Sequence, residues 1–459
     1  MRLTFLGGAG QVTGSNYLLE FADTSLPGGT RRILIDCGLH QGSHFCEKHN
    51  YEPFSFDPKS ISEVFVTHAH IDHTGRLPKL VRNGFLGAVY STPPTRDFAE
   101  LLLLDSGHIL KQEAEREQLP PIYDDSDVAG LMSQWEGVPY HKEIKLGPFG
   151  TGAIVTLFSA GHILGSSSVL IEAEGKRILF SGDLGNSPSP LIGPAEAPER
   201  VDYCVMEATY GDRFHEDLTE RKHLLQNVIT ETMHNKGTLV IPVFALERTQ
   251  VLLLEIKDMI EKKKIPRVPI FLDSPLAIQL TTVYNRYREY FKQDVLSRFT
   301  SREAIFDFPG LRMTPTTEDS KSINTSAGPK IVIAGSGMSQ GGRILHHEKR
   351  YLPDSRSTLL IFGYQAVGSL GRRILDGAST VRIMGEDVPV HAHIKAIGAY
   401  SAHADQRQLL EWLAQFKGSV KKVFLVHAEP DSAKAMHAKI ADQFGLNAIA
   451  PAEKDSVEL

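Results

Sequence analysis

Residues His68-Ala69-His70-Ile71-Asp72-His73 put three imidazoles and a carboxylate into one short stretch. They follow residues 62–67, which read as a buried strand running into a turn. Side chains two apart on an extended backbone point to the same side. His68 and His70 can therefore grip one cation together, and Asp72 and His73 face the space beside it once the chain has turned. Imidazole nitrogen mixed with carboxylate oxygen suits zinc. A solvated polar loop gives no reason to repeat imidazole at this spacing.

Further along, two strands end in Gly-containing turns that carry donors: Ser159-Ala160-Gly161-His162 and Phe180-Ser181-Gly182-Asp183. A lone histidine or aspartate in such a place is ordinarily structural. With the first cluster, however, they complete two tetrahedral sets. His68, His70 and His162 would hold one metal, and Asp72 and His73 a second, with Asp183 bridging. Two cations about 3.5–4 Å apart are a device for hydrolysing phosphate or acyl bonds. Asp36 closes the apolar strand 31–35 beside Gly38. It is either a turn residue or the acceptor for the far nitrogen of a ligand histidine. Two more histidines, His403 and His427, occupy similar strand-to-turn positions, and Glu207 ends the strand 201–206.

The elements that must position these residues fall into three stretches. Residues 2–7, 15–21, 31–36, 153–159, 167–173, 176–181 and 201–206 read as strands, and 77–83 and 95–116 as helices. Residues 119–150 read as a short helical excursion and loop. From about 212 the texture becomes helix alternating with short apolar strands (238–244, 268–272, 330–334, 358–362), as in a parallel sheet covered on both faces. Ser274-Pro275 reads as the start of a helix. Gly335 to Arg343, with Ser336 and Gly337 at the turn, is either an anion cradle at a helix start or a plain Gly-rich connection. Residues 388–397 alternate like a strand, 406–416 read as a helix and 420–426 as a strand. The boundaries expected are 1–209, 210–387 (inserted) and 388–459.

With 41% hydrophobic and 23% charged residues, the composition is that of a soluble globular protein. No apolar run approaches the roughly 20 residues needed to span a bilayer, so no membrane partner is expected. The N-terminal apolar stretch is too short for a signal peptide. Cys37, Cys46 and Cys204 form no CxxC pair and read as reduced thiols of a cytoplasmic protein. A net charge of −6 does not advertise a nucleic-acid binder, although a local basic groove is compatible with it.

The order Asp36, His68-x-His70-x-Asp72-His73, His162, Asp183 resembles the four motifs of the metallo-β-lactamase fold. Glu207, His403 in Ser-Ala-His-Ala-Asp and His427 in Val-His-Ala-Glu resemble motifs A, B and C of the β-CASP nucleases. The similarity covers essentially the whole chain. It is closest to the group around the cleavage and polyadenylation endonuclease subunit and its bacterial and archaeal relatives. Gly335 to Arg343 and Gly363-Tyr364-Gln365 to Leu370-Gly371-Arg372 fit that group. Ala follows His427 where Gly is usual, and Ala follows Glu207 where Ser is common; neither change touches a ligand.

The resemblance implies an α/β fold: an αββα sandwich interrupted by a β-CASP α/β domain with a parallel sheet, the active site lying in the cleft between them. It implies two Zn2+, with His427 joining Asp72, His73 and Asp183 on the second. It also implies a ribonuclease that cuts single-stranded RNA endonucleolytically, leaving a 5′-phosphate and a 3′-hydroxyl, and it suggests a homodimer. His403 is the expected proton donor to the leaving oxygen, Glu207 its anchor, and backbone donors near Ser336 and Gly337 the expected substrate contacts. Small-molecule hydrolases of this fold would share residues 36–183 but have no need of the insert. Scaffold paralogues lose ligands that this chain keeps. DNA-repair members tend to lack the histidine at 427. Trimming from a 5′ end is the alternative action on RNA.

Overall fold

The structure is a computed structural model describing residues 1–42, 48–147, 152–215, 218–299, 304–363, 365–366, 368–398 and 401–459. Cys46, Tyr364 and Tyr400 lie outside them. The chain divides into two compact units, Met1–Phe214 with His403–Leu459, and His215–Ala402.

The first unit has two seven-stranded sheets. One runs in the order Ser456–Glu458, Arg2–Gly7, Asn16–Ala22, Thr30–Ile35, Glu63–Phe65, Ala88–Ser91 and Trp135–Gly137. The other runs Ala448–Ile449, Lys422–Val426, Tyr203–Glu207, Lys176–Phe180, Ser167–Ala173, Ala153–Ser159 and Ile144–Leu146. Their facing sides make a single core of Leu3, Phe5, Ile35 and Phe65 against Leu157, Ile178, Phe180, Val205 and Phe424. Alternation along each strand then decides what covers the back. Leu179, Cys204 and Met206 point away from that core into a second one. There they meet Leu409 and Leu413 of helix Gln406–Ala414, and Met436 and Ile440 of helix Pro430–Phe444. On the first sheet's side lie helices Leu77–Arg82, Pro93–Glu117 and Asp125–Ser133, which bury Leu80, Phe98, Leu103 and Leu131. The expected αββα sandwich is therefore present.

The second unit is built on a six-stranded sheet in the order Leu311–Met313, Ile270–Asp273, Lys330–Ala334, Thr238–Pro242, Thr358–Phe362 and His393–Ile397, parallel throughout. Every residue of the four inner strands Ile270–Asp273, Lys330–Ala334, Thr238–Pro242 and Thr358–Phe362 is buried, as a sheet covered on both faces requires. Helix Pro275–Arg286 starts where Ser274-Pro275 indicates, with the Ser274 hydroxyl accepting from the Ala277 N–H.

The structure adds detail to the sequence reading at several points. Residues 119–150 contain two edge strands, Trp135–Gly137 and Ile144–Leu146, besides helix Asp125–Ser133. Residues 388–397 form pieces of two strands. Glu386–Pro389 pairs back on Thr380–Ile383, whereas His393–Ile397 joins the six-stranded sheet beside Thr358–Phe362. The Ser336 N–H donates to the Gly341 carbonyl, so it is engaged in closing its own loop. Cys37 and Cys204 are free and buried. Among the described residues, no helix is long and apolar enough to cross a membrane.

Glu348, on helix Ile344–Tyr351, has no exposed surface. One of its oxygens accepts from the Ser339 hydroxyl; the other has no hydrogen-bond partner. Burial raises its carboxyl to about 7, with the Ser339 contact opposing. The folded chain thus binds this proton more tightly than the unfolded chain. The stabilisation is complete below the ordinary glutamate range and is lost as pH rises through about 7. Urea unfolding at about pH 5 and about pH 8 checks this. Relative to wild type, Glu348→Gln should gain stability as pH rises between them, by up to about 3 kcal/mol.

Candidate metal centre

The strands that carry donors deliver them a few residues beyond their carboxyl ends. Strand Glu63–Phe65 leads through Val66 and Thr67 to His68 and His70, and His70 opens the one-turn helix Ile71–Thr74 that holds Asp72 and His73. Strand Ala153–Ser159 leads to His162, Lys176–Phe180 to Asp183, and Lys422–Val426 to His427; Tyr203–Glu207 ends on Glu207 itself. Two glycines let these segments close on one another. A Cβ on Gly38 would lie 1.6 Å from the Asp72 carbonyl oxygen, and one on Gly185 the same distance from the Gly161 carbonyl. Asp36 and His427 both take left-handed backbone angles (φ 59° and 48°), uncommon for residues other than glycine.

The donor atoms of His68, His70, His162 and Asp183 lie within 4.8 Å of one another, and so do those of Asp72, His73 and His427. Asp183 faces both groups. Its Oδ2 is 3.3 Å from His68 Nε2 and 3.7 Å from His162 Nε2. Its Oδ1 is 3.3 Å from His73 Nε2 and 3.8 Å from His427 Nε2. Asp72 Oδ2 is 3.7 Å from His427 Nε2. His73 Nε2 and Asp183 Oδ1 are buried with no hydrogen-bond partner. Buried polar atoms normally have one. Donors left open, converging, and of imidazole and carboxylate type fit divalent metal ions.

Outer contacts hold the rings. Asp36 accepts from the Thr67 N–H and hydroxyl, both at 2.8 Å, and its Oδ2 is 2.7 Å from His73 Nδ1. Asp36 thus contacts a ring of the cluster and is not merely a turn residue. Thr67 Oγ1 lies 3.1 Å from His68 Nδ1. Thr67 carried no signal in the sequence, since threonine at a strand end is commonplace.

Burial works against charge on the rings of His68, His70, His73 and His162. At His68, His70 and His162 it prevails: all three are held below the usual histidine range, His70 down to about 3. Neutral imidazole is the ligating form. At His73, burial is outweighed by Asp183, Asp36 and Asp72, and the ring is pushed well up. Asp183 is held well below the usual carboxylate range, because His427, His73 and His68 overcome the effect of its burial.

Beside these groups, His403 Nδ1 is 3.2 Å from Glu207 Oε1 and 3.9 Å from Asp183 Oδ2. Glu207 is buried and fixed by N–H donors from Leu184 (2.6 Å) and Thr209 (3.3 Å). Burial opposes charge on His403, but Glu207 and Asp183 raise it to about 10. All the residues expected at the metals, together with Asp36, Glu207 and His403, thus lie in one place within the first unit. Ser336 and Gly337 belong to the second unit. A Cβ on Gly337 would meet the Phe244 ring at 2.4 Å, and its carbonyl accepts from Gln365.

Three known protein families match parts of the chain. Residues 9–218 match the metallo-beta-lactamase superfamily, 249–374 the Beta-Casp domain, and 387–451 the Zn-dependent metallo-hydrolase RNA specificity domain. The chain is 38% identical over 442 residues to Ribonuclease TTHA0252 of Thermus thermophilus, covering 96% of each protein. It is 31% identical to Transcription termination factor FttA of Methanosarcina mazei, covering 96% of this chain and 69% of that protein. A solved protein of unknown function from Enterococcus faecalis V583 shares the fold, with a TM-score of 0.59 at 14% identity, covering 100% of this chain and 99% of its own. A sandwich carrying convergent metal donors, a parallel-sheet second unit and near full-length similarity lead to one assignment: the chain belongs to the Beta-Casp family of the metallo-beta-lactamase superfamily.

Proposed function

We propose that the protein is a two-zinc ribonuclease that hydrolyses phosphodiester bonds within single-stranded RNA, leaving a 5′-phosphate and a 3′-hydroxyl. The observation that carries the reading is Asp183, whose two oxygens each face a separate group of histidines. His68, His70 and His162 would hold one ion, and Asp72, His73 and His427 the other, with Asp183 common to both. RNA as substrate is supported by the match to an RNA specificity domain and by the similarity to a ribonuclease of Thermus thermophilus. Bound divalent ions supply Lewis acidity and a hydroxide nucleophile at neutral pH.

The chain's own part is to fix the donors and move a proton. Asp36 and Thr67 lock the His73 and His68 rings with their metal-facing nitrogens inward. When the P–O bond breaks, the departing 3′ oxygen needs a proton. His403 is partly exposed, its Nδ1 is held by Glu207, and its ring is the candidate to give that proton. Glu207 keeps the ring charged and aimed. Positive charge gathered at Asp183 would bring His403 back toward neutrality, where an imidazole gives up its proton readily.

Asp183→Ala should abolish both metal uptake and RNA cleavage, read by elemental analysis and a gel assay. His403→Ala should lower cleavage by about 10²–10⁴-fold while metal content stays at about two per chain. A His403→Ala variant that cuts RNA normally would exclude the proton-donor role. Circular and end-labelled linear RNA should both be cut by the zinc-loaded protein. An intact circle beside a trimmed linear strand would instead assign trimming from an end, and an absence of any cutting would refute the nuclease reading.

A further inference from the structure

Each ligand histidine has a second ring nitrogen that must also be accounted for, since its partner fixes which nitrogen is left for a metal. Asp36 takes that part for His73, and Thr67 for His68. For His427 the partner is Ser15, whose hydroxyl lies 3.0 Å from Nδ1. Ser15 is fully buried, and all its polar groups are engaged. Its N–H donates to the Asp72 carbonyl and its own carbonyl accepts from Gly38, both at 2.9 Å. Tyr17 is also buried, and its hydroxyl lies beside the Ser15 side chain.

The loop before Ser15 is shaped around this hydroxyl pair. The Gly8 carbonyl accepts from the His427 N–H at 2.6 Å. Gly8 has φ +67°, and a Cβ there would lie 2.7 Å from the Tyr17 oxygen and 3.0 Å from Ser15 Oγ. Loop 8–15 therefore grips the backbone at Asp72 and at His427, both of the second donor group. The pockets of the two groups thus differ in their outer partners. Ser15 touches His427, whereas the His68 ring of the first group is held by Thr67.

We propose that Ser15, backed by Tyr17, is a positioning residue for the second ion alone: it fixes the His427 ring so that Nε2 is the nitrogen offered. The inference rests on the two-ion reading above. For Nε2 to donate its lone pair, Nδ1 must carry the ring proton and give it to Ser15 Oγ. The neighbouring Tyr17 hydroxyl would crowd that oxygen and limit its rotation. Without the hydroxyl, the ring has no set tautomer and is free to turn.

The test is cobalt titration of metal-free full-length protein, followed by visible absorption and by equilibrium dialysis, for wild type, Ser15→Ala and Tyr17→Phe. Wild type should take up about two ions per chain. Ser15→Ala should leave the first binding step unchanged and weaken the second by about 10–100-fold; Tyr17→Phe should shift the same step by less. Two unchanged steps in Ser15→Ala, or equal weakening of both, would overturn the proposal. If circular dichroism shows Ser15→Ala unfolded, Tyr17→Phe decides, and an unaltered second step overturns it. Uptake of fewer than two ions by wild type would sink the two-ion reading and this inference with it.

Discussion

A carboxylate with almost no exposed surface sits where two sets of imidazoles converge. Taking a charge out of water is costly unless opposite charge or metal compensates. Asp183 is buried to 2% exposure, and one of its oxygens has no hydrogen-bond partner. That arrangement is stable only if cationic character gathers around it, as the ring nitrogens at 3.3–3.8 Å indicate. The burial of His68, His73 and His162, the contact from Asp36 and the Glu207–His403 pair all follow from enclosing this one group.

Topology explains how residues so far apart in sequence arrive together. In the second sheet, strands Ala153–Ser159 and Lys176–Phe180 are both antiparallel to Ser167–Ala173, and so run the same way as each other. Tyr203–Glu207 and Lys422–Val426 are parallel to Lys176–Phe180 and continue that direction. In the first sheet, Thr30–Ile35 and Glu63–Phe65 are parallel. Every donor lies at or just beyond the carboxyl end of one of these strands. The hydrophobic sandwich thus acts as a jig: alternating side chains glue the sheets, and the strand ends gather polar residues at one rim. It is the familiar preference of α/β sheets for sites beyond strand carboxyl ends.

This logic also decides what can be read from sequence. His68, His70, Asp72 and His73 announce themselves because imidazoles repeat at a spacing that no packing role requires. His162 and Asp183 gain meaning only in their company, and His403, Glu207 and His427 emerge through the family resemblance. Ser15 and Thr67 stay hidden, because hydroxyl residues near strand ends are ordinary and their value lies in contacts made across the fold. Strands Trp135–Gly137, Ala448–Ile449 and Ser456–Glu458 are too short to show a period. Residues 388–397 alternate correctly but change sheets midway, which alternation does not register. At Ser336 the sequence shows a glycine-rich turn before a helix, yet not that the loop consumes its own N–H.

The nuclease reading stands or falls on whether Asp183 is shared between two ions. Anomalous diffraction at the zinc edge, from crystals of the zinc-loaded protein, addresses it without reference to activity. Two peaks about 3.5–4 Å apart are expected, one beside His68, His70 and His162 and one beside Asp72, His73 and His427, with an Asp183 oxygen reaching each. A single peak, or two peaks with Asp183 turned away from one of them, would contradict that reading.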